Sequence, residues 1–323
     1  MSDAAFAFAR VSDGEQPFLA VVQGDAVYRL GALLAGIDES GDLGQLFADW
    51  DRHVEAIASA LADGAQAAPA LGNGLTRLVP VAPRQVFLAG MNYRSHVIQL
   101  MVDQGTGSRP DMTEDEIREE AAQMMDARAA SGVPFVFTGL PSSICGPDDD
   151  IRLRHDSEQS DWELELAAVI GRRTRNVSRE QALDHVAGWT IVNDLTCRDL
   201  IRRTDAGPMG VDFLRGKMSP TYKPVGPNVV PAAFVTDPQD LQITLRLNGE
   251  TLQDESTRDM VFDVASLIAY ASEQAEILPG DLVLTGSPAG NGTHYGRFLR
   301  DGDQIEAEIT GLGTQRNRCV AAA

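Results

Sequence analysis

The residues best suited to chemistry in this chain are three acids. In Asp161-Trp162-Glu163-Leu164-Glu165-Leu166 polar and apolar residues alternate before an apolar stretch takes over, so the segment reads as a strand entering a core. Period two puts Glu163 and Glu165 on one face and Leu164 and Leu166 on the other. Two carboxylates side by side on a buried strand repel each other and lose hydration, at a cost on the order of several kcal/mol unless a cation or a proton compensates. A third acid, Asp194, follows 29 residues after Glu165, at the end of the apolar run Trp189-Thr190-Ile191-Val192-Asn193. Oxygen ligands with no histidine or cysteine beside them suit Mg2+, Mn2+ or Ca2+ rather than zinc. Three protein ligands also leave coordination positions open, as catalysis requires. On spacing alone, Glu163 and Glu165 could equally line the wet face of an edge strand.

Positioning such acids takes a scaffold, and the chain divides into two parts. Residues 1–80 read as a small α+β module: 18–28 is a hairpin signal with Gly24-Asp25 at the turn, followed by an alanine-rich helix, with 67–74 as the linker out. Residues 81–323 read as a β-rich domain, with strands at 241–247 before the turn pair Asn248-Gly249, at 281–285 and at 303–309. Within it, 97–133 is a helical insertion. Thr113-Glu114-Asp115-Glu116 is a capping box that opens a helix running to about Ala130, with Gly132 as its stop. Ile117, Ala121, Met124 and Met125 share a face that needs a partner surface, as a lid or a dimer element would provide. A second capping box, Ser178 to Gln181, opens a short helix ending near Gly188. No repeat of fixed period is present.

Composition narrows the function classes. A chain of 323 residues with 43% hydrophobic content can bury a full core. Its formal charge of −20, with only short basic groups at 172–175 and 202–203, argues against nucleic acid and against anionic membrane surfaces. Cys145, Cys197 and Cys319 are far apart with no C-x-x-C pair, so they read as reduced thiols. No apolar run approaches a membrane span, and the first residues carry an acid where a signal peptide needs positive charge, so the expected location is cytoplasmic.

Five segments together resemble the fumarylacetoacetate hydrolase family: Gly90-Met-Asn-Tyr-Arg-Ser-His96, Asp161-Trp-Glu-Leu-Glu165, Asn193-Asp-Leu-Thr-Cys-Arg-Asp199, Arg215-Gly-Lys217 through Pro224-Val-Gly-Pro227, and 278–290 with its Thr285-Gly-Ser-Pro turn. They occur in the family's order over about 80–320. The resemblance implies an α+β fold with a mixed β-sandwich or β-roll core, a bound Mg2+ or Mn2+ on Glu163, Glu165 and Asp194, and a homodimer. It casts His96 as the base that activates water, and Lys217 and Arg198 as cations that stabilise the developing oxyanion or enolate. Tyr93, Tyr222, Thr285, Gly286 and Ser287 fall where substrate contacts are expected. Two positions depart from the pattern. Ser287 stands where threonine is usual, and Gln99 stands where many members carry a glutamate that pairs with the histidine. Either a lid acid such as Glu116 or Glu120 substitutes for it, or water activation is weaker and another reaction of the family is favoured.

The implied activity is metal-dependent C–C hydrolysis of a small 2-oxo or β-diketo acid, with a 2-oxo acid decarboxylase or an isomerase/tautomerase as runner-up. A serine hydrolase built on Ser287 fails because position 285 is Thr, not the Gly of the nucleophile elbow. A non-catalytic metal-binding module is the rival from another class; it has no use for His96 or Lys217. Phosphate-loop and dinucleotide fingerprints are absent.

Overall fold

The computed structural model describes residues 5–64, 74–205, 207 and 210–321. The linker expected at 67–74 lies outside the described residues, apart from Gly74.

Two sheets dominate, a ten-stranded one and a five-stranded one, accompanied by two short strand pairs. In the large sheet Leu164–Ile170 is central, and all seven of its residues are buried. It lies between Val186–Asn193, antiparallel, and Leu282–Leu284, also antiparallel. Leu282–Leu284 in turn runs parallel to Val86–Gly90. Leu284 is level with Ala167 and Leu88, and Leu164 with Asn193. The chain therefore leaves Val86–Gly90, Leu282–Leu284 and Val186–Asn193 at the end of the sheet where Leu164–Ile170 begins. Four of the five sequence motifs are gathered at that one end by register alone.

The N-terminal strands Ala7–Ser12, Pro17–Gln23 and Ala26–Arg29 extend the same sheet, because Ala7–Ser12 pairs with Asn228–Pro231. Phe8, Trp50 and Ile57 share a core with Val86, Leu88 and Ala167, so the boundary near residue 80 divides neither sheet nor core. The hairpin turn at Asn248-Gly249 has φ of 53° and 87°, the left-handed pair that a two-residue turn between twisted strands requires.

The helical insertion starts earlier than expected. A helix, Arg94–Asp103, precedes the capped helix Glu114–Ser131, and the two pack together. In the second, the Thr113–Glu116 capping box is formed and Gly132 follows the last turn. Ile117, Ala121 and Met125 are buried within the chain, whereas Met124 is 38% exposed. The reason is angular: steps of four residues return to nearly the same side of a helix, and Met124 lies a full residue off that stripe. The apolar face that suggested a second copy is thus covered by this chain itself.

Candidate metal centre and active site

Glu163, Glu165 and Asp194 are all buried, and each offers a carboxylate oxygen within 4.8 Å of the others. The ladder of the central strand starts at Leu164, so Glu163 sits just before it, held by Asp194 N donating to Glu163 O (2.8 Å) and by Glu163 N donating to Asn193 Oδ1 (2.9 Å). Oxygens around one hard cation, at metal–oxygen distances of roughly 2.0–2.6 Å, lie no more than about 4–5 Å apart. The donor set therefore fits a single Mg2+, Mn2+ or Ca2+ ion.

The surrounding charges are arranged in pairs. Lys217, at the end of the helix Phe213–Lys217, donates to Glu163 Oε2 (2.5 Å), Asp194 Oδ2 (2.5 Å) and Thr196 Oγ1 (2.7 Å). Arg198 joins Asp161 Oδ2 (2.9 Å) to Glu163 Oε1 (2.6 Å), while Asp199 caps a different turn at Ser157 and Glu158. Lys223, wholly buried, lies 2.8 Å from Asp194 Oδ1 and donates to the Lys217 carbonyl (2.8 Å). Burial alone would raise the Glu163 carboxyl, yet Arg198 and Lys217 hold it far below the ordinary range. Glu165 forms no ion pair among the described residues: burial and then Asp194, with Glu163 behind them, push it well above the ordinary range against the opposing pull of Lys217. Burial opposes the Lys217 charge, but Asp194 and Glu163 raise its pKa above that of a free lysine.

His96 lies in the first turns of Arg94–Asp103, half-buried. Tyr93, the residue before this helix, makes no side-chain cap; Asp259 supplies one from across the chain, accepting from Ser95 N (2.8 Å) and Ser95 Oγ (2.5 Å). Burial holds the His96 imidazole down to about 4; Glu163 works against this, and Arg198 and Lys217 reinforce it. Neither Glu116 nor Glu120 stands in for the missing glutamate. Glu116 is engaged in its capping box and Glu120 binds Ser108. Gln99 turns instead to Gly290 N, accepting at 2.9 Å.

The Thr285 turn and the residues after it are sewn onto the acid segment. Gly286 N donates to Glu165 Oε2 (2.7 Å), Trp162 Nε1 to Gly290 O (2.9 Å), and Gly292 N to Asp161 Oδ1 (2.6 Å). Gly290 is required: its φ is 94°, and a Cβ there would stand 2.1 Å from Leu252 O. The Thr285 hydroxyl donates to Leu166 O (2.9 Å), and the Ser287 hydroxyl accepts from Gln253 Nε2 (3.0 Å), so both are engaged within the chain. Tyr93 is wholly buried beside Thr285, and its hydroxyl has no aligned hydrogen-bond partner among the described residues. Tyr222 points elsewhere, its hydroxyl bonded to Ser160 Oγ (2.8 Å) and to Arg154 N (3.2 Å). The structure thus brings His96, Arg198, Lys217, Tyr93 and Gly286 to the three acids and leaves the Tyr222 hydroxyl outside.

Sequence reasoning passed over Lys223, Asp259 and Gln253. Gln253, wholly buried, accepts from Leu164 N (3.3 Å) between the two glutamates and donates to Pro288 O (2.9 Å). Replacing it by alanine strands these groups, and Gln253→Ala is expected to cost about 2–4 kcal/mol of stability in urea unfolding. An unchanged midpoint would show that the glutamine holds nothing.

Residues 85–320 match the fumarylacetoacetate hydrolase C-terminal family. An oxaloacetate tautomerase of Xenopus laevis, named as mitochondrial, is 34% identical over 251 residues, covering 77% of this chain and 69% of its own. A 2,4-didehydro-3-deoxy-L-rhamnonate hydrolase of a Sphingomonas strain is 41% identical over 188 residues, covering 57% and 64% respectively. The maleylpyruvate hydrolase of a Sphingobium strain, solved with manganese(II) and pyruvate, superposes with a TM-score of 0.73 at 27% identity, covering 98% of this chain and 100% of that one. No helix among the described residues is long and apolar enough to cross a membrane.

Proposed function

Because the chain belongs to the fumarylacetoacetate hydrolase family, we propose that it is a divalent-metal-dependent enzyme that moves a proton within a small 2-oxo acid, interconverting its enol and keto forms. Glu163, Glu165 and Asp194 would hold Mg2+ or Mn2+, and the likeness to a structure solved with manganese(II) supports that choice. When bound, the ion supplies Lewis-acid stabilisation of the negative charge that gathers on the enolised 2-oxo acid. Its neighbours Lys217 and Arg198 keep the Glu163 carboxylate ionised, and Lys217 also donates to Asp194. Tyr93 offers a buried hydroxyl to a substrate oxygen. A homodimer and a cytoplasmic location remain part of the proposal.

The observation that carries this reading is the state of His96. Its imidazole sits at about 4, and its helix neighbour Gln99 is occupied by Gly290. Deprotonating water that is not bound to the ion, with a pKa of about 15.7, is a poor match for such a base. A carbon acid flanked by two carbonyls is far more acidic than water and suits it better. Hydrolysis of a 2,4-dioxo acid is the second reading, favoured by the 41% identity to a hydrolase. The two separate in one assay with oxaloacetate and an acylpyruvate in the presence of Mn2+. Enol–keto conversion without C–C cleavage supports the proposal; cleavage of the acylpyruvate by water to pyruvate and a carboxylic acid at a comparable rate replaces it with hydrolysis, and protein-dependent loss of CO2 from oxaloacetate replaces it with decarboxylation.

The same environment sets the pH profile. A histidine held at about 4, below its ordinary 6.5, is already neutral at pH 6. Turnover governed by His96 is therefore expected to stay level from about pH 6 to 8 and to fall only as pH drops toward 4, with half-maximal rate near the depressed pKa. A rise centred between pH 6 and 7 would mean that the imidazole is not desolvated in this way.

A further inference from the structure

Lys223 is a charged group of the site for which the family resemblance implies no role. Its side chain is wholly buried, and its ammonium lies 2.8 Å from Asp194 Oδ1, the oxygen that Lys217 does not touch. It also donates to the Lys217 carbonyl at 2.8 Å, which ties the end of the helix Phe213–Lys217 to the metal-side aspartate. Each oxygen of Asp194 thus has an ammonium within ion-pair distance.

The lysine also changes the charge ledger. Asp161, Glu163, Glu165 and Asp194 face Arg198, Lys217 and Lys223 through direct contacts or close approach, so the ionised cluster carries one net negative charge. A divalent ion turns this into one net positive charge. Without Lys223 the loaded site would be neutral.

We infer that Lys223 is a positioning residue that trades metal affinity for anion affinity, leaving the metal-loaded site cationic and suited to a chelating ligand with two negative charges. The inference rests on reading the three acids as a divalent-metal centre. The buried ammonium repels an incoming cation across a short, poorly screened distance, and it attracts an anion arriving afterwards by the same physics. A purely structural lysine would lower both affinities together when removed, or neither.

The test uses the purified full chain stripped with chelator. Mn2+ is titrated by electron paramagnetic resonance, and oxalate is then titrated calorimetrically into the Mn2+-loaded protein, for wild type, Lys223→Met and Lys223→Gln. Glutamine keeps an N–H donor for the Lys217 carbonyl, so it carries the test if Lys223→Met does not fold. Mn2+ is expected to bind about tenfold tighter and oxalate about tenfold weaker in the neutral variants. Unchanged affinities, or a loss of Mn2+ binding in Lys223→Gln with its thermal unfolding intact, would overturn the inference. Wild-type protein that binds no Mn2+ would instead overturn the metal reading on which it rests.

Discussion

Glu165→Gln is expected to abolish tight Mn2+ binding and to lower turnover by about 10³ or more, since a Lewis-acid ion contributes several kcal/mol and each 1.36 kcal/mol is tenfold in rate. It should do so without harming the fold. Glu165 forms no ion pair among the described residues, its carboxyl is pushed toward the neutral form by burial and by Asp194 and Glu163 against the pull of Lys217, and glutamine preserves an acceptor for Gly286 N. Asp194→Ala should behave differently. It would leave Lys217 and Lys223 buried beside a missing charge, and breaking a buried pair in this way costs roughly 3–5 kcal/mol of stability. Urea unfolding of the metal-free variants separates the two. A Glu165→Gln protein that retains Mn2+ binding and turnover would remove Glu165 from the centre.

His96→Ala is expected to reduce turnover by about 10² to 10⁴, the usual range for removing a positioned acid–base group. Its effect on metal binding should be small, because His96 is outside the group of three acids and meets them only through charge. At saturating Mn2+ the variant should also lose the part of the fall toward pH 4 that His96 sets, leaving only what protonation of the three acids causes. A turnover near that of wild type would assign proton transfer to another residue.

Much of the local structure was legible in the sequence. The capping boxes at Thr113 and Ser178 formed because their partners lie three residues apart, and the Asn248-Gly249 turn formed because two left-handed residues were needed in succession. The acids at 163, 165 and 194 came together because a strand and its antiparallel neighbour end at the same level. What could not be read depended on tertiary packing between distant segments. Lys223 stands next to a proline with nothing in its neighbours to mark it, and it is wholly buried where Lys223–Pro224 pairs with Ile144–Cys145. Gln253 reaches Leu164 across 89 positions, and Asp259 caps the His96 helix from 164 positions beyond Ser95. The depressed basicity of His96 likewise follows from burial and from Arg198 and Lys217, which the sequence places far away.

Exchange of the substrate's own C–H proton tests the central claim most directly. Oxaloacetate in deuterated water with wild-type protein and Mn2+ should take up deuterium at the carbon between its carbonyls, followed by proton nuclear magnetic resonance at pD near 7 and corrected for the rate without protein. The protein-dependent exchange should stop on adding excess chelator, return with Mn2+, and be absent from Glu165→Gln. Exchange that continues undiminished in excess chelator, or that survives in Glu165→Gln, would contradict metal-assisted proton transfer at this cluster of acids.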